Sequence, residues 1–232
     1  MMQGFIVTGT DTGVGKSLIS AALLLRLGQR FARVAGYKPI AAGCEVDGTN
    51  DDVELLRQFS RPPMSVQQCC PYLLRSACAP HVAAQEEEVD LQLAPIVQGA
   101  LDLAAQSDAL VVEGAGGLLV PLSLSPRVDT ADMFAQIQQT LDLPVVLVVG
   151  MRLGCINHAL LTAEVLAARG LHLGGWVANC CEAQMPYLDD NILTLQALLP
   201  APLLGTLPFM PDLPIAQRVA EAAQCLQTVA LA

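Results

Sequence analysis

The sequence predicts an α/β fold of three layers, a mostly parallel central sheet flanked by helices, and three observations carry that expectation. Apolar runs of four to eight residues, rich in Val, Ile and Leu and bounded by Gly or Pro, recur with helical patterns between them. The composition is 53% hydrophobic and only 15% charged, the balance of a sheet covered on both faces. The chain has 232 residues, enough for one core, and no repeat, low-complexity tract or linker divides it, so residues 1–232 are expected to form a single domain.

Strands are expected at Gly4–Thr8, Arg33–Lys38, Ala109–Glu113, Val145–Gly150, Gly174–Asn179 and Pro202–Leu207. The first helix, Ser17–Gln29, places Leu18, Ala21, Ala22, Leu25 and Leu27 near one face and ends at Gly28 with Arg30. Further helices are expected at Asp52–Ser60, Leu91–Gln106, Thr130–Leu141, Ile156–Arg169, Tyr187–Leu199 and Ile215–Ala230. Thr130 and Asp132 suit a helix start, although Met133, three residues after Thr130, denies Thr130 a capping box. Residues 39–92 are the least regular stretch, and their acidic run Glu86-Glu87-Glu88 reads as a solvated surface segment.

Charge and length remove several function classes. The formal net charge is −10 and the twelve Lys and Arg are scattered, which argues against nucleic acid as a partner. The longest apolar stretches, such as 143–150, fall far short of the roughly 20 residues a membrane helix needs. Gly4–Gly9 already reads as a strand entering a loop, which leaves no place for a secretory leader and implies a cytoplasmic protein. Of eight cysteines, Cys69-Cys70 and Cys180-Cys181 are vicinal and no Cys-x-x-Cys spacing occurs, so neither a disulfide framework nor a zinc site is expected. The thiols other than Cys155 are expected to be small buried hydrophobes.

The chemistry begins at Gly9-Thr10-Asp11-Thr12-Gly13-Val14-Gly15-Lys16-Ser17, which follows an apolar strand and opens an amphipathic helix. That order is what a phosphate-binding loop, and hence a P-loop NTPase fold, requires. Gly13 and Gly15 let successive backbone N–H groups and the helix N-terminus converge on phosphates, Lys16 adds a full charge, and the Ser17 hydroxyl is placed for Mg²⁺. Thr10 stands where the simplest form of the motif has its first glycine. Glu113 ends the strand Ala109–Val112, facing the ligand crevice at the carboxyl edge of the sheet, and glycines follow it. A carboxylate there without a cation would be costly, which assigns it to the metal. Lys38 also ends a strand, and by itself reads either as a second cation at the anion site or as a snorkelling surface residue.

Together GTDTGVGKS at 9–17, GYKPIAAG at 36–43, Asp51-Asp52 at a helix start, VEGAGG at 112–117, VVGMRLGCINHALLT at 148–162 and GWVAN at 175–179 resemble the dethiobiotin synthetase family. The blocks span nearly the whole chain, and general P-loop ATPases share only the first. The resemblance implies a homodimeric, ATP- and Mg²⁺-dependent ligase. It would carboxylate 7,8-diaminononanoate with CO₂ and close a cyclic urea through a carbamate and a carbamic-phosphoric anhydride, without a protein nucleophile.

It also implies site residues. Lys16, Lys38 and Thr12 would be catalytic, and Ser17, Asp52 and Glu113 would hold the metal. Gly13, Val14, Gly15, Lys16, Ser17, Leu18, Asp52, Glu113, Gly114, Ala115 and Gly116 would hold the nucleotide's phosphates and metal. Asn179 would read adenine beside Cys180, with Pro208, Phe209 and Met210 closing over the base. Thr12, Lys38 and Ala42 would meet the diamine, while Cys155, Ile156 and Asn157 at a helix N-terminus, with Asn191, would hold its carboxylate across the dimer interface. Three positions depart from the family pattern: Ala42 replaces a common serine, Asn191 a common tyrosine that Tyr187 could supply from one turn earlier, and Cys180 a common acid. Two other classes remain open, a P-loop amide ligase on another acid and a partition-type nucleotide switch. The first usually needs a glutaminase domain, and the second an early loop lysine where this chain has Thr10-Asp11.

Overall fold

The structure, a computed structural model, describes residues 2–226. Its main sheet has six strands: β1 (Gln3–Gly9), β2 (Val34–Tyr37), β5 (Ala109–Glu113), β8 (Val145–Met151), β9 (Leu173–Cys180) and β10 (Leu203–Leu207). They run parallel in the order β10-β9-β8-β1-β5-β2. Every residue of β5 and β8 is buried, as the continuous apolar runs of a doubly covered sheet require. Each of the six strands was legible in the sequence to within about one residue at either end. The chain moves outward from β1 to β2 on one side and to β8, β9 and β10 on the other, so the order reverses around β1. The carboxyl end of β1 is therefore a crevice in which ligands bind.

Register does the next part of the work. Val7 pairs with Glu113, and Tyr37 with Val112, so Lys38 at the end of β2 comes level with Glu113. Side chains level on adjacent parallel strands leave the same face of the sheet, and a slip of one residue would turn them apart. The backbone holds Lys38 there: its N–H donates to Cys69 O at 2.9 Å, and the buried Tyr37 hydroxyl donates to Ile96 O at 2.9 Å.

The helices are α1 (Lys16–Leu27), α2 (Asp51–Phe59), α5 (Leu93–Gln106), α6 (Thr130–Leu141), α7 (Cys155–Ala168), α8 (Leu188–Leu198) and α9 (Ile215–Cys225). The last was expected to reach Ala230, and residues 227–230 lie outside the described residues. The buried face expected for α1 needs correction. Ile19, Ser20, Leu23 and Leu24 are buried along with Ala21 and Ala22, whereas Leu18, Leu25 and Leu27 are only partly so. The helix lies against the sheet while α2 and α9 cover its other side, with Ala21, Leu55 and Val219 meeting in a small cluster. A helix buried on two sides has no single apolar stripe to read.

Four short strands and two short helices were not foreseen: β3 (Ile40–Ala42), β4 (Tyr72–Leu74), β6 (Pro121–Leu124), β7 (Arg127–Asp129), α3 (Val66–Cys69) and α4 (Pro80–Glu86). Segments of three to seven residues are too short for periodicity to register. β6 pairs with β7 antiparallel, and β3 with β4 parallel, so that with α3 and α4 the stretch 39–92 is more regular than its sequence suggests. The start of α6 is a capping box after all, set by Asp129 rather than Thr130. The Asp129 carboxylate accepts from Ala131 and Asp132 N–H, and Asp132 accepts from Asp129 N–H. Glu86 and Glu88 are exposed as expected, yet Glu86 also accepts from Ser76 Oγ, and the half-buried Glu87 accepts from Arg75 N–H.

All eight cysteines are free, but the expectation of burial holds only for Cys69 and Cys70; Cys155, set apart from it, is buried as well. Cys78 is exposed and the other four are intermediate. Among the described residues no helix is long and apolar enough to cross a membrane.

The correction to α1 has a measurable consequence. Leu24 is fully buried and sits where a side chain on Gly36 would collide with it. Leu24→Ala is expected to lower the unfolding free energy by about 2–5 kcal/mol, and the half-buried Leu27→Ala by clearly less. Urea denaturation of the two variants measures the difference.

Candidate active site

The loop after β1 is held open by backbone shape rather than by side-chain caps. Gly13 (φ 74°) and Gly15 (φ 91°) are left-handed, and Gly15 is the N-cap of α1. A Cβ on Gly15 would lie 2.3 Å from Asn179 Nδ2, so close approach also demands glycine there. Thr10 proves useful where the simplest motif has glycine. Its N–H donates to Val148 O at 3.0 Å and its hydroxyl accepts from Gly150 N–H at 3.4 Å, tying the loop to β8.

Lys16 is buried, and its ammonium donates to Asp11 O at 2.9 Å within the loop. Burial pulls its pKa below the ordinary lysine value, Glu113 opposes this and Lys38 adds to it. Ser17 Oγ donates to Glu113 Oε1 at 2.7 Å. Lys38 Nζ donates to the same oxygen at 2.6 Å and to Asp52 Oδ2 at 2.8 Å. Burial would lower the Lys38 pKa, but Glu113 and Asp52 reverse the effect and the net shift is upward. Burial would raise the Asp52 pKa, yet Lys38 holds it below the ordinary carboxylate value. The strand end alone left Lys38 open between surface and site, and the resemblance put it in the site; the strand register brings it level with Glu113 on the lining of the cleft.

Glu113 is the centre of this cluster. It is fully buried, Oε1 takes both donors, and Oε2 has no partner among the described residues. A buried carboxylate oxygen without a donor is expensive, and a cation satisfies it. Among the described residues no group of three or more His, Cys, Asp or Glu could hold a metal ion by itself. The donor set here is two carboxylates and a hydroxyl, an all-oxygen set that suits Mg²⁺ completing its shell with phosphate and water.

The cleft around these groups has a volume of about 1060 Å³. Thr12, Gly13, Gly15, Lys16, Ser17, Leu18, Lys38, Ala42, Asp52, Ala115 and Gly116 all line it. Gly116 (φ 65°) brings the loop after β5 against Thr12, whose Oγ1 would be 3.6 Å from a Cβ there. Gly114 is packed under the Phe134 ring, 2.5 Å from where its Cβ would be, and its N–H donates to Val7 O. Val14 is buried beneath the loop. Asn179 is the last residue but one of β9, and its amide donates to Val14 O at 2.8 Å. Cys180 follows it. The register that pairs Asn179 with Leu207 brings Pro208, Phe209 and Met210 beside this turn, with Phe209 exposed.

The remaining expected residues do not join the cleft of their own chain. Cys155, Ile156 and Asn157 open α7 after the left-handed Gly154. The Cys155 thiol is 4.0 Å from Asn191 Oδ1, and Asn191 Nδ2 donates to Tyr187 O at 2.7 Å. The Tyr187 side chain is exposed.

Several residues that sequence reasoning missed belong to the site. Asp11 forms an ion pair with Arg152, beyond the end of β8, and accepts from Thr12 N–H at 2.7 Å. The Thr12 N–H and then Arg152 hold its carboxyl below the ordinary range despite a smaller opposing effect of burial. Ala77, Cys78, Ala79 and Pro80 form one wall of the cleft, and Ile215 and Arg218 another. No local pattern announces a contact between residues 141 positions apart.

A family model described as an AAA domain matches residues 3–217. The ATP-dependent dethiobiotin synthetase BioD of Ralstonia nicotianae is 50% identical over 208 residues, 88% of each chain. That of Janthinobacterium sp. (strain Marseille) is 47% identical over 87% of this chain and 86% of its own. The chain belongs to the ATP-dependent dethiobiotin synthetase family. Solved structures support the synthetase fold at far lower identity. The ParA family ATPase of Chlorobium tepidum superposes with a TM-score of 0.62 at 13% identity, over 100% of this chain and 99% of its own. The septum site-determining protein MinD of Pyrococcus horikoshii gives 0.59 at 16%, over 99% and 95%.

The buried cluster predicts strong coupling. Glu113→Gln or Lys38→Met alone breaks the buried pair and is expected to cost about 3–5 kcal/mol of stability. The double variant should cost clearly less than the sum of the two, by more than about 0.5 kcal/mol, as unfolding midpoints of all four proteins will report.

Proposed function

We propose that this chain catalyses the ATP- and Mg²⁺-dependent ring closure of 7,8-diaminononanoate with CO₂ to dethiobiotin, ADP and phosphate. The observation that carries the reading is the buried Lys38, held by Glu113 and Asp52 at the mouth of the phosphate loop in a chain of this family. Ser17, Asp52 and Glu113 would hold Mg²⁺, which when bound neutralises charge on the β- and γ-phosphates.

The loop N–H groups and Lys16 hold the phosphates. One amine of the diamine, lying along Thr12 and Ala42, takes up CO₂ as a carbamate. A carbamate oxygen attacks the γ-phosphorus, the bond to ADP breaks, and a carbamic-phosphoric anhydride forms. The second amine attacks its carbonyl carbon, phosphate leaves, and the urea ring closes. Lys38 faces both the phosphoryl group and the carbamate, where negative charge develops, and needs no reorganisation to do so. No protein nucleophile takes part.

Asn179, Cys180 and residues 208–210 are assigned to the base. The backbone N–H groups of Cys155, Ile156 and Asn157 suit the diamine carboxylate at a helix N-terminus. Their distance from the cleft fits a site completed by the second subunit of a homodimer. Exposed Leu153, Leu161, Leu193 and Leu198 around the same two helices support such a dimer. With Ala42 in place of serine, the diamine loses one hydroxyl contact. We place the enzyme in the cytoplasm. The likeness to MinD and ParA concerns fold, and Thr10-Asp11 occupies the loop position where a switch ATPase would carry its extra lysine.

Dethiobiotin should form, as read by mass spectrometry, only when diamine, CO₂ and Mg·ATP are all present; no product at saturation overturns the reading. Lys38→Ala is expected to lower kcat by about 10²–10³-fold, with a much smaller change in nucleotide affinity measured by calorimetry.

A further inference from the structure

The cleft has a wall that the reaction above does not use. Helix α9 contributes Ile215 and Arg218 to the lining, and the helices it packs against contribute Leu18 of α1 with Glu54, Leu55 and Gln58 of α2. The position of this wall is fixed by packing, since Val219 sits in the cluster with Ala21 and Leu55. Leu18 follows Ser17 directly, so the wall begins where the phosphate loop ends. The connection from β10 to α9 carries residues 208–210, so the base and Arg218 are approached by one segment of chain.

Arg218 is an anomaly there. The side chain is half-buried, its buried Nε has no hydrogen-bond partner among the described residues, and its guanidinium forms no ion pair with any of them. Of the three carboxylates on the same cleft, Glu54 is engaged by Arg57 and Asp52 by Lys38, while Asp51 is exposed at the start of α2 and forms no ion pair with Arg218. A guanidinium carries five donors, and a buried one left unmade is costly. Its place in the chain gives no compensation. Arg218 is the fourth residue of α9, where the helix dipole disfavours a cation. An anionic acceptor arriving in the cleft would satisfy both conditions at once.

We propose that Arg218 is a nucleotide-positioning residue that donates to the α-phosphate and ribose end of ATP, the part lying beyond Ser17 and Leu18. This rests on the cleft being the ATP site, as argued above. Lys16 and Lys38 hold the transferred end of the nucleotide, and Arg218 fixes its other end. Leu18, Leu55 and Ile215 form the apolar surround that strengthens a charge-assisted bond.

Arg218→Met keeps the stem of the side chain and removes its donors. Calorimetric titration with ADP should show affinity falling about tenfold or more, the scale of one hydrogen bond to a charged group. KM for ATP should rise more than kcat falls, while KM for the diamine and the urea midpoint stay within error. Arg218→Lys should recover part of the ADP affinity. Unchanged ADP affinity in Arg218→Met overturns the proposal, and so does a parallel loss of diamine and ADP affinity, which would mean general damage to the cleft. If the unsubstituted protein binds ADP but makes no dethiobiotin, the reaction assignment fails and the Arg218 result still stands on the binding data.

Discussion

The structure turns on one buried ion pair, Lys38 with Glu113, and on the strand register that creates it. The edge strand β2 and its parallel neighbour β5 end level with each other and leave an ammonium against a carboxylate with almost no water. Such a pair is weak as a source of stability and strict about geometry, because either partner alone is an uncompensated buried charge. Everything needed to hold the register is core: Tyr37 bonded to Ile96, β5 buried along its whole length, and Leu24 and Leu56 packed against the bare backbone of Gly36. The packed core of the sheet thus sets the place of one charge.

That charge acts because its neighbours are unequal. Glu113 gives one oxygen to Lys38 and Ser17 and keeps the other free for a cation. Lys16 is pulled down by burial while Lys38 is pushed up by its carboxylates, so the two lysines beside the phosphate loop differ in electrostatic character. A loop whose glycines adopt left-handed backbone then adds N–H donors that need no movement to meet phosphate. Phosphoryl transfer demands little else of the protein: positions, and fixed charge where charge will develop.

How much of this was legible in the sequence depended on the range of the signal. The six sheet strands and the phosphate loop are local patterns, and the residues themselves announced them. Glu113 was assigned from its place at a strand end, and its unpartnered oxygen gives that reading a physical basis. Lys38 was ambiguous from its own strand and was assigned only through the family resemblance, because register is a property of two strands and neither alone contains it. Asp11 with Arg152, the face of α1, and the wall built by Ile215 and Arg218 were invisible for the same reason. Each is a contact between distant segments decided by packing. The capping box of α6 was legible but misread by one residue, since Asp129 was passed over in favour of Thr130.

The central claim is that this geometry hands the γ-phosphoryl group directly to an acceptor derived from CO₂, with no protein nucleophile between them. Isotope tracing tests it most directly: turnover begun with ¹⁸O-labelled CO₂ and quenched before exchange with water, followed by mass spectrometry of the products. The account predicts one labelled oxygen in the released phosphate and one in the urea carbonyl of dethiobiotin. Phosphate free of label would contradict it.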